Sequence, residues 1–158
     1  MNIFLRFHNL SLSLDHQLQA WGTTAIGLVL RVFIAWQFLK AGIVKVSNWD
    51  GTLSLFREEY TIPVLPPEVA AVMGAGGELV FSALLILGLF SRPVALGLFV
   101  VNAMAVISYP QLWTFECPAA INDHFYWGIC LLVLIVIGPG KIALDQWLKK
   151  ISLSHPIK

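Results

Sequence analysis

The sequence predicts an all-α integral membrane protein: a four-helix up-down bundle of membrane spans, preceded by an amphipathic interfacial helix at the N-terminus. Two compositional features support this class. Hydrophobic residues make up 58% of the 158 residues and charged residues 12%, whereas soluble domains average about 45–50% and about 25%. So few charges cannot cover the surface of a soluble fold or keep a disordered chain hydrated. The net charge of +1 lacks the basic excess of nucleic-acid-binding proteins, so nucleic acid is not an expected partner.

The chain divides into three predicted segments. Residues 1–24 are expected to form a cytoplasmic helix in the membrane interface, because their apolar side chains recur at helical spacing along one face. That face carries Ile3, Phe7, Leu10, Leu14, Leu18 and Trp21. Residues 25–148 form the transmembrane domain, and residues 149–158 form a basic cytoplasmic tail.

Four apolar stretches separated by turn signals supply the spans. They cover residues 25–46, 67–90, 91–109 and 122–138. Prolines precede the second stretch, Ser91 is a predicted N-cap for the third, and Gly138-Pro139-Gly140 ends the fourth. A span needs roughly 17–25 residues, so the fourth is short unless its helix begins earlier.

The distribution of charge between the loops predicts the orientation. Basic residues dominate on the side that carries both termini, which holds Arg6, Arg92, Lys141, Lys149, Lys150 and Lys158. Acidic residues dominate on the other side, which holds Asp50, Glu58, Glu59, Glu68, Glu116 and Asp123. Positive residues stay inside, so both termini are predicted to be cytoplasmic. The long loop at about 47–67 is then periplasmic, with an amphipathic helix over residues 52–60 and a proline-rich return.

Arg31 lies inside the first predicted span, roughly 9 Å from its cytoplasmic end. Small residues, including Gly27 and Ala35, share its helical face, which is typical of a contact with another helix. We therefore expect Arg31 to face the bundle interior. The alternative is an arginine that snorkels to the headgroups.

Glu78 lies near the middle of the second span, where an ionised carboxylate requires a partner. Three side chains are candidates: Arg31, Lys45 and Asn102. We expect Arg31 and Glu78 to pair directly or through one polar group. Such a pair has either a functional role or the purely structural one of fixing helix register.

The periplasmic half of the bundle is the predicted location of any activity. The expected site is a capped cavity between Lys45, Glu59, Tyr60, Glu78 and His124. His124 follows Asp123 at the start of the fourth span and could titrate near neutral pH or relay a proton. One histidine among scattered carboxylates is a weak metal signal, so no metal site is expected. The alternative is an ordinary polar interface with aromatic residues and no cavity.

Three motifs occur in order along the predicted spans. The first span carries Arg31, Phe38, Gly42 and Lys45 in the pattern R…F…G..K. The second carries Glu78 and ends in the turn Gly88-Leu89-Phe90-Ser91-Arg92, and the last is followed by Gly138-Pro139-Gly140-Lys141-Ile142-Ala143-Leu144-Asp145. Together these motifs resemble the DoxX family of membrane proteins, and the resemblance covers residues 25–148.

The resemblance implies a bacterial inner-membrane protein that serves as an accessory subunit in membrane-linked redox chemistry, with quinone or with thiols and thiosulfate, or in stress responses. It implies quinone as a candidate cofactor and a quinone-linked oxidoreductase as a candidate assembly, but it supplies no catalytic residue set. Besides the lipid bilayer, the expected partners are membrane or periplasmic proteins or a second copy of the chain. The alternatives are a non-enzymatic membrane anchor and a transporter of a small solute or metal that uses Glu78.

Overall fold

The computed structural model describes residues 3–114 and 119–154, and all regular structure in these residues is helical. The helices are α1 (Ile3–Ser47), α2 (Trp49–Glu58), α3 (Pro67–Leu87), α4 (Ser91–Ser108), α5 (Ala119–Ile137) and α6 (Leu144–Ser154). A 3₁₀ turn at Pro110–Trp113 follows α4. The predicted all-α class is confirmed. Glu116 and Cys117 lie outside the described residues.

Four helical segments are long and apolar enough to cross a membrane, as predicted. They are Trp21–Ser47, Pro67–Leu87, Ser91–Ser108 and Ala119–Ile137. The last begins at Ala119 and not near Asn122, which gives it 19 residues. That length is sufficient for a span without local thinning of the bilayer.

The four segments pack as a closed ring in which α1 contacts α3 and α5, and α4 contacts α3 and α5. The shared core consists of Ile34, Ala35, Phe38, Leu85, Val94, Ala95, Leu98, Leu131 and Leu134. Apolar side chains on the outer faces, such as Val29, Val80 and Val136, are more than half exposed. An apolar exterior of this kind suits contact with lipid chains.

Helix α1 is continuous from Ile3 to Ser47, with no break between the predicted interfacial segment and the first span. Its 45 residues extend about 67 Å, which is more than twice the roughly 30 Å hydrocarbon core of a bilayer. Phe7, Leu18 and Trp21, on the predicted apolar stripe, are exposed. The interfacial location of residues 1–24 stays a prediction.

One end of the bundle, here called the α6 end, carries the turn between α3 and α4, to which the first turn of α6 is hydrogen-bonded. Asp145 accepts hydrogen bonds from the backbone N–H groups of Phe90 and Ser91 at 2.8 and 2.9 Å, and from Ser91 Oγ at 3.0 Å. The prediction that Ser91 is the N-cap of α4 is therefore wrong. Phe90 occupies that position without a capping side chain of its own, and a carboxylate from α6 satisfies the free donors.

The opposite end, here called the α2 end, is covered by α2 and residues 59–66. Asn48 caps α2 through a bond from Gly51 N–H at 3.1 Å. Phe56 on α2 packs against Ala70 and Ala71 on α3. The N–H of Thr61 donates to the carbonyl of Ser108 at 2.8 Å, which holds the return segment against the end of α4.

Candidate functional site

A buried ion pair joins α1 to α3 in the half of the bundle nearer the α2 end. Lys45 Nζ donates to Glu78 Oε1 at 2.7 Å and to Oε2 at 2.8 Å. The Glu78 side chain is 9% exposed and that of Lys45 is 17% exposed. Gly42, one turn before Lys45, lies so close to α3 that a Cβ there would be 2.8 Å from Leu79 Cγ. This close approach of the two helices places the ammonium against the carboxylate.

Arg31 faces the bundle interior and is 1% exposed, but it does not pair with Glu78. Its guanidinium donates to the carbonyls of Pro139 at 2.9 Å and Ile142 at 2.6 Å, at the α6 end. The expected pairing of Arg31 with Glu78 is wrong. Arg31 and Lys45 are about 21 Å apart along α1, so the carboxylate that contacts Lys45 is out of reach of Arg31.

A large apolar cavity of about 730 Å³ lies between α3 and α4. It extends from Pro93 and Leu96 near the α6 end to Tyr60, Lys45 and Glu78. Small residues form part of its wall, namely Ala70, Gly74, Gly76, Gly77, Gly97 and Ala105. Several of its side chains, such as Val80 and Val100, are more than half exposed on the outer face of the bundle. The cavity is therefore open toward the lipid-facing side.

A smaller cavity of about 280 Å³ lies among α1, α4 and α5. Its lining is more polar and aromatic, with Gln37, Phe38, Lys45, Tyr60, Glu78, Tyr109, His124 and Trp127 among its residues. Lys45, Tyr60 and Glu78 line both cavities. The ion pair therefore lies where the two cavities meet.

Three stacked aromatic rings cover the ion pair from the α2 end. The Tyr60 ring lies 4.4 Å from that of Phe56 and 5.0 Å from that of Tyr109, centroid to centroid. Burial, with the negative charge of Glu78 as the next cause, raises the pKa of Tyr60 to about 12. The Tyr60 hydroxyl consequently remains protonated at physiological pH and can donate a hydrogen bond.

Glu59 closes this aromatic cover. The Tyr109 hydroxyl donates to Glu59 Oε2 at 3.0 Å. Burial, followed by this hydrogen bond, raises the pKa of Tyr109 above its usual value. Glu59 does not itself line either cavity, so its contact with the site is through Tyr109.

His124 forms the wall of the smaller cavity on α5 and is held by Asn102 on α4. The Asn102 Nδ2 donates to the His124 carbonyl at 2.9 Å, and Asn102 Oδ1 lies 2.8 Å from His124 Nδ1. The imidazole also contacts the Trp127 ring edge-to-face at 4.9 Å. One hydrogen bond and one ring contact thus hold the imidazole, while the bond to the His124 carbonyl holds the Asn102 amide against α5.

The structure brings together four of the predicted site residues, Lys45, Tyr60, Glu78 and His124, around the smaller cavity. Asn102 and Glu59 lie behind this group and orient His124 and Tyr109. Asp123 is exposed and lines neither cavity. Within residues 3–114 and 119–154, no group of three or more histidine, cysteine or acidic side chains could hold a metal ion.

Sequence reasoning missed Gln37 and Ser108. Gln37 is a polar residue within the first span, which is a signal that could have identified it. Ser108 ends α4 beside the larger cavity, and its Oγ is buried without a hydrogen-bond partner among the described residues. Nothing in the sequence distinguishes Ser108 from a serine at the end of any span.

Two bacterial proteins resemble this chain over most of their length. A Haemophilus influenzae protein described as uncharacterized is 30% identical over 140 residues, which are 87% of this chain and 92% of the relative. The inner membrane protein YphA of Escherichia coli K12 is 30% identical over 126 residues, which are 75% of this chain and 87% of YphA. No solved structure matches the chain.

The DoxX family model matches residues 26–111. This range includes most of the first membrane span and all of the second and third. It also includes most of the residues that line the two cavities, among them Lys45, Tyr60 and Glu78. It excludes His124 and helix α6. The match covers more than half of the chain, and the protein belongs to the DoxX family.

Proposed function

We propose that this protein is an accessory subunit in membrane-linked redox chemistry and that it binds a quinone. The quinone headgroup contacts the Lys45–Glu78 ion pair, and its isoprenoid tail occupies the larger cavity between α3 and α4. The observation that carries the proposal is the location of this ion pair, where a cavity open toward the lipid-facing side meets a smaller polar and aromatic cavity.

The chemistry of the site fits a quinone. The Lys45 ammonium has three N–H donors, so a carbonyl oxygen of the headgroup can accept a hydrogen bond beside those made to Glu78. The Tyr60 hydroxyl is a second donor. Ser108 Oγ is buried in the wall of the larger cavity and unpartnered among the described residues, and a ligand oxygen would satisfy it. The volume of the larger cavity, about 730 Å³, suits small-molecule binding, which uses pockets of about 300–1,000 Å³.

The proposed location is the bacterial inner membrane, with both termini in the cytoplasm. The similarity to YphA, whose name states that it is an inner membrane protein, supports the location. The charge distribution between the loops supports the orientation. In this orientation the α2 end, with its aromatic cover, faces the periplasm.

The direct test is identification of the ligand that copurifies with the protein. The protein would be extracted in mild detergent with native lipids, and bound quinone would be quantified by mass spectrometry after organic extraction. We expect the ratio of quinone to lipid in the purified protein to be higher than in the extracted lipid as a whole. This enrichment should be lost in Lys45→Met.

Arg57→Gln is the matched control, because Arg57 forms an exposed ion pair with Glu68 away from the cavities. Quinone at the same level in Lys45→Met and in the native protein would contradict the proposal. A copurifying protein without any lipid-soluble ligand would favour the membrane-anchor alternative. Bound solute or metal would favour transport.

A further inference from the structure

The two hydrogen bonds between Asn102 and His124 determine which way the Asn102 amide points. The carbonyl of His124 can only accept, so the group 2.9 Å from it must be the amide nitrogen of Asn102. The amide oxygen is then the group that lies 2.8 Å from His124 Nδ1. Asn102 is 4% exposed, so neither of its polar atoms can turn toward bulk water.

An amide oxygen can only accept, so the His124 Nδ1 facing it must carry a hydrogen. In the neutral imidazole Nε2 then has a free lone pair and is a hydrogen-bond acceptor. The ring lines the smaller cavity, where Lys45 and Tyr60 also lie. No group in residues 3–114 or 119–154 makes a hydrogen bond to Nε2.

We propose that Asn102 holds His124 as the Nδ1-protonated tautomer, so that Nε2 accepts a hydrogen bond from a hydroxyl of the bound ligand. One ligand hydroxyl can accept from the Lys45 ammonium and donate to Nε2, whereas a carbonyl oxygen can only accept from Lys45. This inference rests on the proposed function. It specifies the redox form of the ligand: the site binds the reduced quinol in preference to the quinone. Asn102 is a positioning residue, and His124 is the residue that contacts the ligand.

The tautomer can be measured without any ligand. Protein labelled with ¹⁵N-histidine in detergent micelles gives NMR signals that distinguish protonated from unprotonated ring nitrogens, and the signals missing from His124→Gln belong to His124. We expect Nδ1 to be protonated and Nε2 to be unprotonated at neutral pH. A ring protonated at Nε2 only, a mixture of tautomers, or a doubly protonated ring would each overturn the assignment.

Asn102→Leu removes both hydrogen bonds at similar side-chain volume and should give a mixture of tautomers. Asn122→Leu, which changes an exposed asparagine of α5, is the matched control and should leave the His124 signals unchanged. An unchanged tautomer in Asn102→Leu would show that Asn102 does not position the ring.

The ligand form is tested with ubiquinol-1, ubiquinone-1 and the dimethyl ether of ubiquinol-1, which cannot donate a hydrogen bond. One additional hydrogen bond should make ubiquinol-1 bind about three- to tenfold more tightly than either of the other two. Asn102→Leu and His124→Gln should lower this preference and leave the affinity for ubiquinone-1 nearly unchanged.

The outcomes separate this inference from the proposed function. Equal affinity of the native protein for ubiquinol-1 and its dimethyl ether would overturn the role of Nε2 and leave quinone binding intact. Failure of all three compounds to bind would overturn the proposed function together with the ligand assignment, whatever tautomer the NMR spectra show.

Discussion

Lys45 Nζ lies 2.7 Å from Glu78 Oε1 and 2.8 Å from Oε2, so that α1 and α3 are joined by a bidentate ion pair inside the bundle. Removing charges from water is costly, and a buried pair often contributes little net stability compared with apolar side chains of similar volume. Stability alone therefore gives no reason for this pair. Its location where two cavities meet is the observation on which the proposed role in ligand binding rests.

Removal of either member of the ion pair should destabilise the protein strongly. Glu78→Ala and Lys45→Ala each leave one buried charge without a partner, which typically costs about 3–5 kcal/mol. The double variant Lys45→Met/Glu78→Met should be more stable than either alanine variant, because it leaves no buried charge. Thermal unfolding in detergent measures these differences.

The exposed pair of Arg57 and Glu68 supplies the control for this experiment, because its side chains are 54% and 50% exposed. Exposed pairs contribute little to stability, so Glu68→Gln should unfold at nearly the temperature of the native protein. A further variant, Lys45→Ala/Glu78→Ala, completes the cycle, and a loss equal to the sum of the two single losses would mean that Lys45 and Glu78 do not interact.

Two glycines on neighbouring helices should respond in opposite ways to alanine. At Gly42 a Cβ would lie 2.8 and 2.9 Å from Leu79 side-chain atoms and 3.1 Å from Glu78 Cβ, so α1 and α3 would have to separate. Overpacking of this kind costs about 1–3 kcal/mol. At Gly76 a Cβ would meet nothing within 4 Å, and alanine there should stabilise the helix by up to about 1 kcal/mol.

Chemical denaturation of Gly42→Ala and Gly76→Ala gives the comparison directly. The Gly42 variant should also weaken the Lys45–Glu78 contact, because Glu78 is among the residues that must move. A Gly42→Ala protein as stable as the native one would show that α1 and α3 are not in the close contact described above.

The helices and their order could be predicted from the sequence because apolar stretches and turn residues are local signals. The partner of Glu78 could not be selected from three candidates, because the choice depends on how far α1 slides along α3. That register is set by the Gly42 contact, which involves residues far apart in the chain. For the same reason Ser91 was expected to cap its own helix, whereas the cap comes from Asp145 in α6.

At the start of α4, the side chain of Asp145 should contribute more to the stability of the protein than the side chain of Ser91. It satisfies the N–H groups of Phe90 and Ser91 as well as the Ser91 hydroxyl. Loss of a capping side chain costs about 0.5–2 kcal/mol, so Asp145→Ala should lower the unfolding temperature. Ser91→Ala removes only the hydroxyl bond and should have a smaller effect. An equal effect of the two substitutions would contradict this assignment.

The proposed orientation predicts that both ends of the chain are cytoplasmic. A phosphatase reporter fused after Lys158 should be inactive, because it requires export, and a fluorescent reporter that folds only in the cytoplasm should be active there. A reporter inserted after Gly51, in α2, should show the opposite pattern. Export of the reporter after Lys158 would reverse the orientation and place the aromatic cover of the site in the cytoplasm.

Tyr60 should ionise only in strongly alkaline solution, because burial and the charge of Glu78 raise its pKa to about 12. In the unfolded chain a tyrosine has a pKa of about 10, so the folded state binds this proton more tightly. The resulting stabilisation is fully present below about pH 10 and is lost as the pH rises toward 12. Tyr60→Phe should therefore lose less stability than the native protein between pH 10 and 12.

The difference in phenolate absorbance between the native protein and Tyr60→Phe isolates the ionisation of Tyr60 from that of the other tyrosines. Ionisation of Tyr60 near pH 10 in the folded protein would mean that water reaches its hydroxyl freely, and the aromatic cover over Lys45 and Glu78 would then be open.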